Sequence, residues 1–306
     1  MALLNFTGKS RERIPEPEFA DMIEGWSIEV MPRTAAKVDD FRELLPAGTR
    51  VYIAHLDGTP IEDMVATARR LNRQGFPVMP HLPARSIPDI STLADWLERY
   101  RGEAHVRQAL LLGGGRATPV GDFHSSMQLV ETGLFDHHGF THLHFAGHPE
   151  GSRDVDPNGS TAMADRALRW KQDLASRTDA RLAITTQFAF DPQPVIDWAE
   201  RIQAAGVTMP IHVGIAGPAR LQTLIKYAIS CGIGPSMKVL QKRAMDMSKL
   251  LLPYEPTDLV AAFADYKARR PESLISQLHI FPLGGIQVAA EWMNKHRSVE
   301  TPIALP

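Results

Sequence analysis

Eight short β-like runs, each followed by a stretch with helical apolar spacing, constrain this chain more than any other feature. The runs are Trp26–Met31, Arg50–Leu56, Pro77–Leu82, Ala109–Gly113, His142–His148, Leu182–Phe188, Pro210–Ile215 and Leu278–Leu283. The clearest helical stretch is Ile61–Leu71, where Ile61, Met64, Val65, Ala68 and Leu71 fall on one face. Others are Phe41–Leu45, Ile90–Tyr100, Met127–Phe135, Met163–Leu174, Pro194–Ala205, Leu221–Ile229 and Val288–Met293. Such alternation requires parallel strands joined by helical crossovers. Eight units in 306 residues predict an α/β fold, a closed (β/α)8 TIM barrel. An open doubly wound sheet is the alternative, but no G-x-G-x-x-G follows the first run to support it. Between the seventh and eighth runs lies an insert, Gly232 to Ser276, whose Met237–Leu252 and Leu259–Ala268 segments read as extra helices. The expected division is an N-terminal arm over residues 1–25 and a single catalytic barrel over 26–306.

Composition narrows the function classes. Lys+Arg is 33 against Asp+Glu 35, a formal net charge of -2, which argues against a general nucleic-acid or acidic-membrane binder. The single cysteine, Cys231, excludes an intramolecular disulfide and a cysteine-rich zinc site. Its apolar surroundings (YAISCGIG) suggest a core residue rather than a nucleophile. No run approaches the ~18–20 apolar residues of a membrane span. The first residues carry only a four-residue apolar stretch, so no signal peptide is expected and a cytoplasmic protein is the default.

In such barrels the active site forms at the carboxyl ends of the strands. Polar residues there include Glu29, His55, Asp57, His81, His148, Glu150, Gln187 and His212, with glycine runs at Gly113–Gly115 and Gly284–Gly285. Glu29 sits between Ile28 and Val30 on a strand suited to burial. Desolvation would raise its pKa toward the range of a general acid. A salt bridge to Arg33 or a capping role after Thr34 is the alternative. Gly113–Gly115 would let the backbone approach a planar or phosphate-bearing ligand, and a helix start near Ser125 and Ser126 would favour phosphate. The glycine run also reads as a plain surface turn. His142, His144 and His148 share strand parity, but nothing completes a metal set, so structural roles are expected and no metal is assigned. Ser125 and Ser126 form no G-x-S-x-G elbow, which argues against a serine hydrolase.

Several of these segments together resemble the methylenetetrahydrofolate reductase family, flavin enzymes built on a (β/α)8 barrel. The matching segments are Ile28–Arg33 (IEVMPR), Pro80–Leu82 (PHL), Gly147–Gly151 (GHPEG), Thr186–Asp191 (TQFAFD), Val213–Ile215 (VGI) and Leu278–Leu283 (LHIFPL). They follow the family's order from Trp26 to Trp292, and the sixth-strand signature TQFAFD is the most specific. The resemblance implies interconversion of 5,10-methylenetetrahydrofolate and 5-methyltetrahydrofolate in one-carbon metabolism and methionine biosynthesis. Hydride would pass from NAD(P)H through bound FAD. It places Glu29 as the general acid at N10 and Gln187 on the pterin. It places His81, His148, Asp165 and Lys171 around the flavin, with Gly113, Gly114, Gly115 and Ser126 completing that wall. Leu221 stands where the family has a substrate-stacking aromatic. Gly113–Gly115 replace the family's Arg-Gly-Asp, leaving Asp122 or Glu150 as substitute anions, and Gly284–Gly285 replace an Asn-Arg. These departures motivate two alternatives: a flavin-independent NAD(P)H-dependent folate reductase, and a non-catalytic folate-binding relative. A folate-dependent methyltransferase lies further off. The expected partners are small molecules, with exposed helix faces available for a homo-oligomer.

Overall fold

The computed structural model describes residues 16–232, 237–245 and 252–297. Eight parallel strands form a closed barrel: β1 Ser27–Val30, β2 Arg50–Ile53, β3 Val78–Pro83, β4 Gln108–Leu112, β5 His142–Gly147, β6 Arg181–Thr186, β7 Ile211–Ala216 and β8 Ile275–Phe281. Closure pairs β1 with β8 in the register Ser27–His279 and Ile28–Ile280. β8 begins at Ile275 rather than Leu278, because Ile275 already pairs with Ile211 on β7.

The helices follow the sequence pattern with instructive exceptions. α1 (Glu16–Ile23) lies within the expected arm and buries Met22 and Ile23 in the main core. α2 (Pro32–Ala35) is a single turn directly after β1, with Pro at its first position, where the absent N–H costs nothing. α3 (Ile61–Arg73) buries the expected apolar face, with Glu62 and Asp63 in its first turn and Arg70 and Arg73 in its last, complementing the helix dipole. α4 (Ile90–Ala104) starts at Asp89, whose carboxylate accepts the Thr92 N–H at 2.8 Å. The expected helix Met127–Phe135 is split into α5 (Ser126–Glu131) and α6 (Leu134–His137) by Gly133, which sits at φ 72. That left-handed conformation cannot continue a helix and favours glycine. Phe41–Glu43 forms only a 3-10 turn.

α7 (Ala162–Leu174), α8 (Pro192–Ala204) and α9 (Leu221–Ser230) match expectation closely. In the insert, α10 (Met237–Met245) ends before Leu252, and residues 246–251 lie outside the described residues. α11 (Thr257–Arg269) packs beside α1, and α12 (Ile286–His296) follows β8.

Strand alternation sorts the side chains into two environments. Ile28, Val30, Val51, Ile53, Val78, Leu111, Phe145, Val213 and Ile280 face the helix layer in one continuous apolar core. The lumen is different. Its apolar part is small, with Tyr52, Met79 and Leu110 backed by Leu112. The remaining lumen positions are polar and buried, among them Ser27, His81, His144, Thr185, His212 and His279. Barrel interiors are ordinarily filled by branched apolar side chains. A polar lumen must satisfy itself internally. The Tyr52 hydroxyl does this, lying 2.7 Å from His144 Nδ1, 3.3 Å from Thr185 Oγ1 and 3.4 Å from His212 Nδ1.

Candidate functional site

A cleft of about 1620 Å³ opens over the carboxyl ends of the strands. From the sequence-derived candidates it takes Glu29, His81, Gly113, Gly114, Gly115, His148 and Gln187 into its wall, together with His55, Asp57 and Glu150. Ser126, Asp165, Lys171, Leu221 and Asp122 do not line it.

Glu29 reaches the lumen face of β1 and meets two imidazoles. Oε2 lies 3.3 Å from His81 Nε2 on β3 and 3.8 Å from His279 Nε2 on β8. Neither approach has hydrogen-bond alignment, and both Nε2 atoms are buried without another partner. The sequence suggested a carboxyl raised by burial, with Arg33 or a cap near Thr34 as the alternative partner. The structure corrects this. Burial pushes Glu29 upward, but the two histidines outweigh it and hold the carboxyl down at about 2. Thr34 caps its own turn instead, its hydroxyl accepting the Met31 N–H at 3.0 Å. His279 is fully buried, its Nδ1 lies 3.0 Å from Ser27 Oγ, and burial lowers its pKa. With Glu29 ionised, a neutral His279 best carries its hydrogen on Nε2 and accepts from Ser27 at Nδ1.

Gln187 sits just past β6. Its Oε1 accepts the Phe188 N–H at 3.1 Å, which fixes the amide and leaves its NH2 as the available donor. Gly214 on β7 permits this placement. A Cβ there would lie 2.4 Å from Thr186 O and 2.7 Å from Gln187 O. Gly214→Ala is therefore expected to destabilise the protein by about 1–3 kcal/mol through backbone crowding and to displace Gln187. Thermal unfolding, read beside ligand affinity, checks both effects.

The glycine run is shaped by its own neighbours. Arg85 Nη2 donates to Gly114 O and Nε donates to Gly113 O, and a Cβ on Gly114 (φ 91) would lie 2.9 Å from Pro83 Cβ. Close packing on Pro83 and a left-handed turn thus account for Gly114, while Gly115 has open space beside it. At the start of α5, Gln128 Oε1 accepts from the backbone N–H groups of His124 and Ser125, and Ser126 is buried. The free N–H groups expected there are partly satisfied from within.

Asp165 is bound to Arg201 at 2.8 Å, facing away from the cleft. Lys171 is 7% exposed, stacks its ammonium 5.0 Å over the Phe145 ring, and forms no ion pair among the described residues. Burial pushes it down to about 8. His148, at the cleft edge, is pushed down to about 4 by burial and by the Lys171 charge. Leu221 is buried with Phe188, Phe190 and Tyr254 in a satellite core, and Tyr227 is the α9 aromatic that lines the cleft. Cys231 is exposed and borders the cleft, so the expectation of a core cysteine is overturned. It follows the last residue of α9, where the chain leaves the packed face. Among the described residues no three His, Cys, Asp or Glu side chains are placed to hold a metal ion, and no helix is long and apolar enough to cross a membrane.

Sequence reasoning passed over His279, Tyr52, Tyr227 and Arg85. The first two carried a usable signal, being polar or aromatic residues at lumen parity. The last two had none, since Tyr227 belongs to α9 and Arg85 to the 3-10 turn Ala84–Ser86 after β3, both oriented only by packing.

Fold and cleft together define a (β/α)8 barrel with a polar, histidine-rich mouth. No family model matches the chain. Among solved structures it is similar to an uncharacterized protein from Clostridium thermocellum that binds two copies of 5-methyl-5,6,7,8-tetrahydrofolic acid. The alignment has 11% identity over 89% of this chain and 92% of that one, with a TM-score of 0.59. Dihydropteroate synthases from Thermus thermophilus (12% identity, 88% and 92% covered, TM-score 0.44) and Vibrio fischeri (10%, 90% and 93%, 0.45) align more loosely. At such identities the likeness establishes the barrel fold.

Proposed function

We propose that the chain binds a reduced folate in this cleft and interconverts 5,10-methylenetetrahydrofolate and 5-methyltetrahydrofolate by hydride transfer from NAD(P)H. The observation that carries the reading is the meeting of Glu29 and the fixed Gln187 amide in one cleft. Opening the folate's five-membered ring breaks the bond from the methylene carbon to N10, and that nitrogen leaves only if it gains a proton. Glu29 supplies the acidic group, and the Gln187 NH2 offers a donor to a pterin ring acceptor. The bound 5-methyltetrahydrofolate of the Clostridium thermocellum barrel supports the ligand class. The cleft volume of about 1620 Å³ exceeds the ~300–1,000 Å³ typical of a single small-ligand site, leaving room for a second reactant.

A flavin fits this wall in part. His148 and Gly113–Gly115 edge the cleft where a planar ring could lie, and a bound flavin would relay hydride from the nicotinamide. On the diphosphate side, the Asp165 carboxylate is committed to Arg201 and Lys171 lies behind the wall. That placement favours a second reading, direct hydride transfer from nicotinamide to folate. The absorbance spectrum of the purified protein, before and after adding FAD, separates the two. Retained flavin bands with FAD-dependent turnover support the relay. Turnover of 5,10-methylenetetrahydrofolate by a flavin-free protein supports direct transfer. A protein that binds folate tightly yet oxidises neither NADH nor NADPH overturns the enzymatic reading and leaves a folate-binding relative.

A further inference from the structure

We propose that Glu29 and His81 form one proton-sharing pair, and that His81 loads Glu29 with the proton delivered to N10. The inference deepens the folate reading and rests on it. Its geometric basis is the 3.3 Å approach of Oε2 and Nε2 across neighbouring lumen positions of β1 and β3. Both residues border the cleft, so the pair can exchange protons with solvent before a ligand covers it. His279 also borders the cleft and flanks the same oxygen, but it is fully buried and lies farther away, at 3.8 Å against 3.3 Å for His81. It acts as a fixed positioning residue, with Ser27 holding its other nitrogen.

In the open cleft, water and the imidazoles favour an ionised Glu29. A ligand seated over the pair removes that water. In a drier site a neutral acid beside a neutral imidazole costs less than a desolvated ion pair. As the bound ligand tightens the 3.3 Å approach into an aligned hydrogen bond, the proton passes from His81 Nε2 to Glu29 Oε2, leaving His81 neutral and Glu29 as the acid. When the bond from the methylene carbon to N10 breaks, its electron pair stays on N10 and takes the proton. Glu29 returns to carboxylate and solvent reprotonates His81. Glu29 is the catalytic residue, and His81 acts through it.

The other titratable groups facing the pair are His279 on β8, Tyr52 on β2, His55 just past β2, and Cys231 after α9, while the Arg50 charge on β2 acts on Tyr52 and His279. Burial raises Tyr52 to about 12 and lowers His55, so both stay neutral near pH 7. Partial burial and the Glu29 charge raise the Cys231 thiol. Of these groups His81 lies nearest to Glu29 Oε2, at 3.3 Å.

His81→Gln is the test, read as kcat/KM for 5,10-methylenetetrahydrofolate against pH. The expected loss is about tenfold or more near pH 8, shrinking toward pH 5, where solvent can protonate Glu29 directly. A loss that is equal at every pH, or no loss, overturns the proposal. Isotope-edited infrared spectra of ligand-free wild type and His81→Gln give a second readout independent of turnover. The protonated-carboxyl signal of Glu29 should appear at clearly higher pH in the variant. Coincident curves overturn the pair. A clear infrared difference in a protein that neither binds nor reduces folate overturns the functional reading alone.

Discussion

Glu29→Gln is expected to lower turnover of 5,10-methylenetetrahydrofolate by about 10²–10⁴-fold, the usual weight of a positioned general acid. The amide keeps the shape of the side chain and can still face His81 and His279, so folding and folate affinity should change little. What it loses is the ability to give up a proton to N10. If a flavin relays the hydride, its reduction by NAD(P)H involves no bond to N10 and should be spared. Rapid-mixing measurements of the two half-reactions separate these effects. Equal loss in both would remove Glu29 from the proton-transfer step and make it a structural carboxylate. Folate affinity measured in parallel guards against a simple loss of binding.

The second large effect is on stability in mild acid. His144 and His212 lie in the lumen at 2% and 5% exposure. Burial holds His212 down at about 3 and His144 well below its ordinary value. In the unfolded chain both titrate near pH 6.5. Below that value the unfolded state binds about two protons that the native state refuses, so stability falls as pH falls. The slope approaches about 2.7 kcal/mol per pH unit well below pH 6.5, which amounts to about 3 kcal/mol between pH 6.5 and 5. Glu29 does not offset this loss. Its carboxyl is held below its unfolded value, so its stabilising contribution is constant above about pH 4.5 and declines only in stronger acid. Against a total stability of about 5–15 kcal/mol, the histidine effect alone is large. Urea titrations near pH 7 and pH 5 measure it, and unchanged stability would mean that the lumen admits charged imidazole.

Much of the architecture is legible in the sequence. The strand runs are short and apolar, the helical runs have a period near 3.6, and the two kinds alternate, with one helical insert before the last strand. Those local patterns follow from side-chain direction along a strand or helix and need no knowledge of partners. Ile28 and Val30, on a strand that reads as suited to burial, are buried for that reason. Glu29 and Gln187 were also legible as candidates, because strand ends are where a barrel exposes polar groups. The boundaries that shifted were set by contacts across the chain. β8 was extended by its pairing with β7, and Gly133 broke a helix through a backbone angle that apolar spacing does not reveal.

The charge state of the site was not legible. Sequence places Glu29 on a buried strand, and burial alone argues for a raised pKa. The sign reverses because barrel closure sets β8 beside β1, bringing His279 against Ser27 across a separation of 252 residues. The neighbouring lumen position of His81 supplies the second imidazole. Likewise, Asp165 and Lys171 look equivalent in sequence, yet packing gives one to Arg201 and seals the other over Phe145. The sequence by itself determined the alternating βα order and which strand faces are apolar, since both depend on local periodicity. Only the tertiary structure decided which lumen groups meet and whether Glu29 rests charged, since electrostatics in a dry interior depends on neighbours a few ångströms away.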